Sequence, residues 1–335
     1  MNLFLGRGAN GRAGEARASS KRRRRVGAWA LRSQPRSVLA IFGPTASGKT
    51  AVAEAVAEQI GGEVVSADSM QAYQGLPILT AQPDRPTRLV AIWPPSHEGS
   101  VAEYARLAHD VIDGLLAKER TPVVAGGTGL YLRAALAELE LPPAPTPDQR
   151  ARWERAYDRL GPERAHAVLA ERDAEAAARL HPNDRRRVVR ALELTELGSS
   201  LRPDADRLWT SETRHPALLF GLALPREVLA ERIERRARAM FDEGVVEEAR
   251  AALAGPISST AVKALGLTEV AELPREEALA ALIVRTRRYA AYQRKWMRRI
   301  PGLVSVNADR PADEIADEIV EVARARERLP ARRAG

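Results

Sequence analysis

Cysteine is absent from all 335 residues, which removes disulfides, thiolate metal sites and cysteine nucleophiles together. Aromatic side chains make up only 4% of the chain, so Leu, Val, Ile and Ala must fill a core that the 45% hydrophobic content can supply. No run approaches the ~20 apolar residues that cross a bilayer, and a soluble, cytoplasmic protein with no membrane contact is expected. Histidine is sparse: His97, His109, His166, His181 and His215 have no metal-ligand spacing and form no Ser-His-Asp arrangement, so structural or solvated places are expected for them. A charge excess is missing from most of the chain as well. Residues 1–36 carry ten Lys/Arg against Glu15 alone, a net of +9, so the whole-chain value of +8 leaves −1 for residues 37–335. The basic character belongs to a Gly/Ala/Ser/Arg-rich arm that should be disordered. Its Lys21–Arg25 run suits RNA contact, an address or a plain unstructured extension alike. A nucleic-acid site in the body must therefore appear as local patches.

What the chain does contain starts at residue 37. The apolar run Ser37–Phe42 ends on Gly43-Pro44-Thr45-Ala46-Ser47-Gly48-Lys49-Thr50, and a helix-forming stretch follows at once. Strand, Gly-x-x-x-x-Gly-Lys-Thr loop and helix in that order form the phosphate-loop pattern. Backbone N–H groups of such a loop face inward and meet the positive end of the new helix. Lys49 adds a mobile ammonium for phosphate oxygens, and the Thr50 hydroxyl suits a magnesium ion. The alternative is a Gly-rich turn without a ligand. The loop identifies a polyphosphate or a pyrophosphate, and no more.

Further strands are expected at 63–67, 122–125, 217–222 and 303–306, with helices at 101–120 and 312–326. Alternation of strand and helix argues a doubly wound α/β core with a parallel sheet. The second strand ends in Asp68-Ser69-Met70-Gln71, which an open parallel sheet delivers to the rim that holds the phosphate loop; a turn or cap carboxylate is the other reading of Asp68. The third ends in Gly126-Gly127-Thr128-Gly129. Residues 72–100, with five prolines, read as loop with short extended pieces. After Pro142, Pro143, Pro145 and Pro147 the chain turns charged, helical and strandless. The expected organisation is a disordered arm (1–36), core (37–145), a helical insertion (146–209), core with C-terminal helices (210–327) and a tail (328–335). Asn183 or Asp184 caps a helix that opens on Arg185-Arg186-Arg187, cations that are costly in a first turn and that favour a phosphate partner. At helical spacing Arg285, Arg288, Tyr292, Lys295 and Arg299 share a face; a basic stripe with an aromatic ring suits RNA.

The phosphate loop, Asp68–Gln71, Gly-Gly-Thr-Gly-Leu-Tyr-Leu at 126–132 and the segment 180–194 (LHPNDRRRVVRALEL) together resemble the bacterial-type tRNA dimethylallyltransferase family. Arg232-Ile233-Glu234-x-Arg236 and Arg287-Arg288-Tyr289 with Gln293 and Trp296 fit as well, so the resemblance spans roughly residues 37–327. It implies a P-loop NTPase-like fold with an inserted helical domain, acting as a monomer. It also implies that the loop, Gly43 to Thr50, holds the pyrophosphate of dimethylallyl diphosphate, with magnesium at Thr50. The prenyl group then passes to the exocyclic amine of the adenosine 3′ of a tRNA anticodon. By this resemblance Asp68 is the base, Arg236 neutralises the leaving group, and Thr45 and Thr128 orient the reacting groups. The anticodon stem-loop would meet Asp68, Ser69, Met70, Gln71, Thr128, Arg150, Arg186, Arg187, Arg190, Lys263, Gln293, Trp296 and Arg298. Three stretches depart from the family pattern: Pro86-Thr87-Arg88-Leu89-Val90-Ala91, Gly266-Leu267-Thr268-Glu269 and Ala291-Tyr292-Gln293. They remove an aspartate, a stacking ring and several cations from the expected RNA side and leave the pyrophosphate side intact. A small-molecule kinase using ATP, and a non-catalytic RNA-binding protein, are the competing readings.

Overall fold

A computed structural model describes residues 37–328, apart from 140, 142–144, 202–207 and 209. The basic arm, Pro142, Pro143 and residues 329–335 lie outside the described residues. In chain order the described elements are β1 (Val38–Phe42), α1 (Lys49–Ile60), β2 (Glu63–Ser66), α2 (Pro77–Thr80), α3 (Val101–Ala117), β3 (Pro122–Gly126) and α4 (Gly129–Leu136). Four helices follow, α5 (Pro147–Leu160), α6 (Pro162–Arg172), α7 (Ala174–Arg179) and α8 (Arg185–Glu196). The chain then returns to β4 (Ala217–Ala223), α9 (Arg226–Asp242), α10 (Val245–Ala254), α11 (Leu267–Glu272), α12 (Arg275–Met297), β5 (Val304–Asn307) and α13 (Ala312–Arg328).

All five strands run parallel in the order β2-β3-β1-β4-β5. The central strand reads VLAIF because it is covered on both faces. Strand alternation sends Val38, Ala40 and Phe42 into one apolar cluster with α3 and α4, and Leu39 and Ile41 into the opposite one with α1 and α13. A third cluster joins α9 to α12 with Leu76 and Leu79. Helices α5 to α8 share an apolar cluster of their own around Trp153, Tyr157, Leu169 and Leu192.

Residues 72–100 hold more structure than their prolines predict. Pro77 sits at the start of a one-turn helix, where its missing N–H costs nothing, and the carboxylate of Glu248 accepts the Ile78 and Leu79 N–H groups at 2.8 and 2.7 Å. Tyr73, Leu76 and Trp93 are buried, so this stretch is part of the core. Arg88 bridges to Val65 in parallel with β2, and its side chain pairs with Glu63 at 2.8 Å. Leu267, where the family pattern places a ring, is fully buried in the third cluster. That position belongs to the core here, so no stacking ring is lost from the RNA side at this point.

Candidate active site

Parallel strands deliver the segments after β1, β2 and β3 to one rim, and β1 stands between β3 and β4, where connections leave in opposite directions. Open α/β sheets bind ligands at that crevice. The phosphate loop occupies it. Ser47 N–H donates to Pro44 O at 3.2 Å, the Lys49 ammonium donates to the same carbonyl at 2.8 Å, and Ala46 sits in the left-handed region at φ 62°. A non-glycine residue there stores strain that its surroundings must hold. No side chain caps the N-terminus of α1. The buried Ser47 hydroxyl has no partner among the described residues, so the loop offers an anion a helix N-terminus and an unengaged donor. Burial pushes the Lys49 ammonium down to about 8, against the pull of Asp68 and with the push of Arg236. Arg236 comes from α9 to donate to Thr45 Oγ1 at 3.2 Å; burial lowers its pKa, while Asp68 opposes that. One carboxylate and two partly buried cations therefore act on each other beside the loop.

Asp68 Oδ1 accepts the Met70 N–H at 3.0 Å, so its role as a turn carboxylate coexists with its place at the rim. Thr128 is the N-cap of α4 but does not cap it. Its hydroxyl lies 3.4 Å from both the N and Oγ of Ser69, and 3.3 Å from Tyr289 Oη. Gln71 is tied into the chain: its Oε1 accepts from Ser66 Oγ at 2.9 Å, and its Nε2 donates to Ala81 O at 2.8 Å. Met70 packs against the third apolar cluster. In this structure Met70 and Gln71 build the rim and Asp68 and Ser69 face it.

Helix α12 supplies what the sequence reading missed. Its inner face, at i, i+4 and i+7, is Tyr289, Gln293 and Trp296. Gln293 is 1% exposed; its Oε1 accepts the Thr45 N–H at 2.7 Å, and its Nε2 donates to Gly127 O at 2.9 Å. The expectation that Gln293 faces RNA is therefore corrected: both ends of its amide hold the phosphate loop against the β3 loop. Trp296 turns the same way. A Cβ at Gly127 would stand 2.2 Å from Gln293 Nε2, and one at Gly129 the same distance from the Trp296 ring, which is why this loop is glycine-rich. The outer face keeps Arg288, Tyr292, Lys295 and Arg299 exposed, and Tyr292 puts a ring at a position where the family pattern has a cation. Arg285 is paired with Glu269, while Arg298 caps the C-terminus of α12 and is exposed.

The expected RNA-side arginines of α8 divide into two groups. Asp184 caps the helix through the Arg187 N–H at 3.2 Å, and Arg185 forks onto Asp158 with both distances at 2.8 Å, so the protein itself offsets part of the first-turn charge. Arg150 and Arg190 hold the carboxylate of Glu193, 1% exposed, at 3.1 and 3.0 Å. That gives these two a structural task the sequence did not reveal. Arg186 and Arg187 are exposed; Arg187 reaches Asp184 only at 3.7 Å, and Arg186 has no ion pair among the described residues. Lys263 is drawn into the same cluster: its pKa is lowered by burial, then by Arg150 and Arg186. Four of the five histidines serve as structural partners, His97 to Glu103, His109 to Ala134 O, His166 to Ala177 O and His215 to Asp113, while exposed His181 accepts the Asn183 N–H at 3.2 Å. Among the described residues no three His, Asp or Glu gather in a metal-holding group, and no helix is long and apolar enough to cross a membrane.

Comparison with known proteins bears on this geometry. A family model described as IPP transferase matches residues 71–300, and one described as isopentenyl transferase matches residues 36–87. The tRNA dimethylallyltransferase of Corynebacterium jeikeium is 40% identical over 286 residues, covering 82% of this chain and 92% of that protein. Its Streptomyces coelicolor counterpart is 41% identical over 277 residues, with 79% and 88% covered. The solved full-length tRNA isopentenylpyrophosphate transferase from Bacillus halodurans is similar at TM-score 0.63 and 32% identity, over 87% of this chain and 97% of that one. A eukaryotic dimethylallyltransferase crystallised acting on tRNA shares the fold at TM-score 0.71 and 22% identity, covering 90% and 82%.

Proposed function

This chain belongs to the IPP transferase family, and from that premise we propose how its own residues carry out prenyl transfer to tRNA. The enzyme is a tRNA dimethylallyltransferase, acting on the exocyclic amine of the adenosine 3′ of the anticodon and releasing pyrophosphate. Membership displaces the kinase and binding-only readings.

An aryl-type amine is a poor nucleophile, and its proton must leave as the carbon–nitrogen bond forms. Asp68 takes that proton. The bond from the prenyl carbon to the bridging oxygen breaks in the same transfer, and its electron pair stays with the diphosphate. Lys49, Arg236 and the unengaged amides at the start of α1 stabilise that charge, because fixed donors in a water-poor site need no reorganisation. Thr45, held between Arg236 and Gln293, and Thr128 orient the reacting groups. The observation that carries this reading is Arg236 of α9 reaching Thr45 of the phosphate loop at 3.2 Å, at the rim to which β2 delivers Asp68.

Magnesium fits the donor set, since Thr50 offers an exposed hydroxyl at the start of α1 and the ion prefers substrate phosphates with one or two protein oxygens. When bound it would neutralise diphosphate oxygens. Arg186, Arg187 and Lys263 meet the anticodon stem-loop from the helical insertion side, and Arg288, Lys295 and Arg298 from α12. The protein works as a cytoplasmic monomer. The deciding assay mixes it with unmodified tRNA and labelled dimethylallyl diphosphate beside an ATP-hydrolysis control. Label in tRNA is the expected result; phosphate release from ATP without prenyl transfer would overturn the reading.

A further inference from the structure

Resting on that reading, we infer that Glu248 is a positioning residue for the transfer: through α2 and Gln71 it holds the turn that aims Asp68. Helix α2 is one turn long, too short to stand by itself. Both of its ends are held by side chains from elsewhere. At its start, the two carboxylate oxygens of Glu248 from α10 accept the Ile78 and Leu79 N–H groups at 2.8 and 2.7 Å. At its end, Gln71 Nε2 donates to Ala81 O at 2.8 Å and to Thr80 O at 3.3 Å. Two carbonyls can only accept, so they fix which way round the Gln71 amide lies, and its Oε1 accepts from the Ser66 hydroxyl at 2.9 Å.

Helix and amide support each other. Ala81 closes α2 in the left-handed region at φ 46°, a strained place for a residue with a Cβ. Its N–H on Ile78 O at 3.1 Å and Gln71 on its carbonyl keep it there. Glu248 is half-buried and forms no ion pair among the described residues; its hydrogen bonds go to α2 alone, and it acts through that helix. Gln71 ends the turn that begins at Asp68. Within it the Met70 N–H donates to Asp68 Oδ1 at 3.0 Å, which orients the carboxylate and leaves Oδ2 without a hydrogen bond among the described residues. Releasing Gln71 from α2 would free that turn. One helical layer thus serves both halves of the chemistry: α9 sends Arg236 to Thr45, and α10, next along the chain, sends Glu248 to the support of Asp68.

The test compares prenyl transfer to tRNA by the full chain, E248A, D68A and the double variant. A reacting group about 1 Å out of place costs ~10²-fold, so the smaller shift expected here should lower kcat of E248A about tenfold. The Kd of a dimethylallyl diphosphate analogue should stay at the wild-type value, because the phosphate loop keeps its own bonds. In the D68A background, where no base is left to aim, E248A should cost less than about twofold. Wild-type kcat in E248A, or an equal loss in both backgrounds, would overturn the inference; the equal loss is what a merely structural role gives. Amide hydrogen exchange adds a readout without activity. The Met70 N–H should exchange faster in E248A, and loosening confined to residues 76–82 would overturn the relay. If E248A melts lower, rates per folded molecule, counted by analogue binding, decide the same cycle. Should it fail to fold, E248Q, which keeps one of the two acceptors, takes its place with a smaller loss expected. A wild-type chain that leaves tRNA unlabelled would instead refute the parent reading, while exchange at Met70 still tests the relay.

Discussion

The phosphate-loop rim and the surface proposed to face RNA are built on opposite terms. At the rim, polar groups are partly buried and engaged with one another: Thr45 is held by Arg236 and Gln293, and Thr128 by Ser69 and Tyr289. On the RNA side the cations are long, exposed and loosely paired, as with Arg187 at 69% exposure and 3.7 Å from Asp184. Exposed pairs of that kind contribute about 0–1 kcal/mol each. The rim therefore tolerates little change, while the RNA surface can exchange one cation for another, or for Tyr292, and keep its purpose. Of the departures from the family pattern, Tyr292 lies exposed on the second surface, whereas Leu267 is in the core and Arg88 pairs with Glu63.

Asp68→Ala tests the rim most severely. Turnover should fall at least ~100-fold with diphosphate binding retained, as loss of a general base requires; near-normal turnover would take Asp68 out of that role. Next, Arg190→Glu and Arg187→Glu should separate. The first sets a second carboxylate against the buried Glu193 and should cost a few kcal/mol, read as several degrees of melting temperature, whereas the second should leave the melt unchanged. Equal melts would mean that Glu193 does not need Arg190. Lys49 gives a gentler probe through pH. Its folded pKa, about 8, lies below the unfolded value, so its charge burdens the fold below pH 8 and that burden lifts as pH rises toward 10.5. Diphosphate needs the charged form, so the Kd of an alkyl diphosphate analogue should be flat below pH 8 and rise above it; calorimetry that finds a flat profile to pH 9.5 would contradict this. Smallest is the RNA side itself: Arg186→Glu with Arg187→Glu should raise the tRNA KM several-fold and reduce its salt slope by about one per lost phosphate contact. An unchanged slope would mean that face does not meet RNA.

Much of the core was legible because its signals are local. The apolar run ending in Gly43–Thr50 and the strands that deliver Asp68 and Thr128 declare themselves by period and turn chemistry, and they stand where the periodicity puts them. What stayed hidden depends on partners far along the chain. Gln293 lies among arginines and reads as surface, yet its contacts are Thr45 and Gly127. Tyr289 was visible only as part of a resemblance; the i, i+4, i+7 spacing with Gln293 and Trp296 was the signal, masked by the louder basic face of the same helix. Arg190 looked like a phosphate ligand because the burial of Glu193 three residues on has no local signature. Leu267 likewise looked like a lost ring until its burial placed it in the core.

The placement of β1 also governs how the molecule comes to exist. The strand that carries the phosphate loop is the first of the sheet to leave the ribosome, and it needs neighbours on both edges. One, through Leu39 and Val123, comes early; the other pairs Val38 with Ala217, after the whole helical insertion has been made. At roughly 5–20 residues per second that edge stays open for on the order of ten seconds or more. Non-local parallel pairing is slow and exposed to aggregation in the meantime. The nascent chain is thus a natural client for chaperones until β4 docks, and the catalytic loop, written first, is among the last parts to be locked.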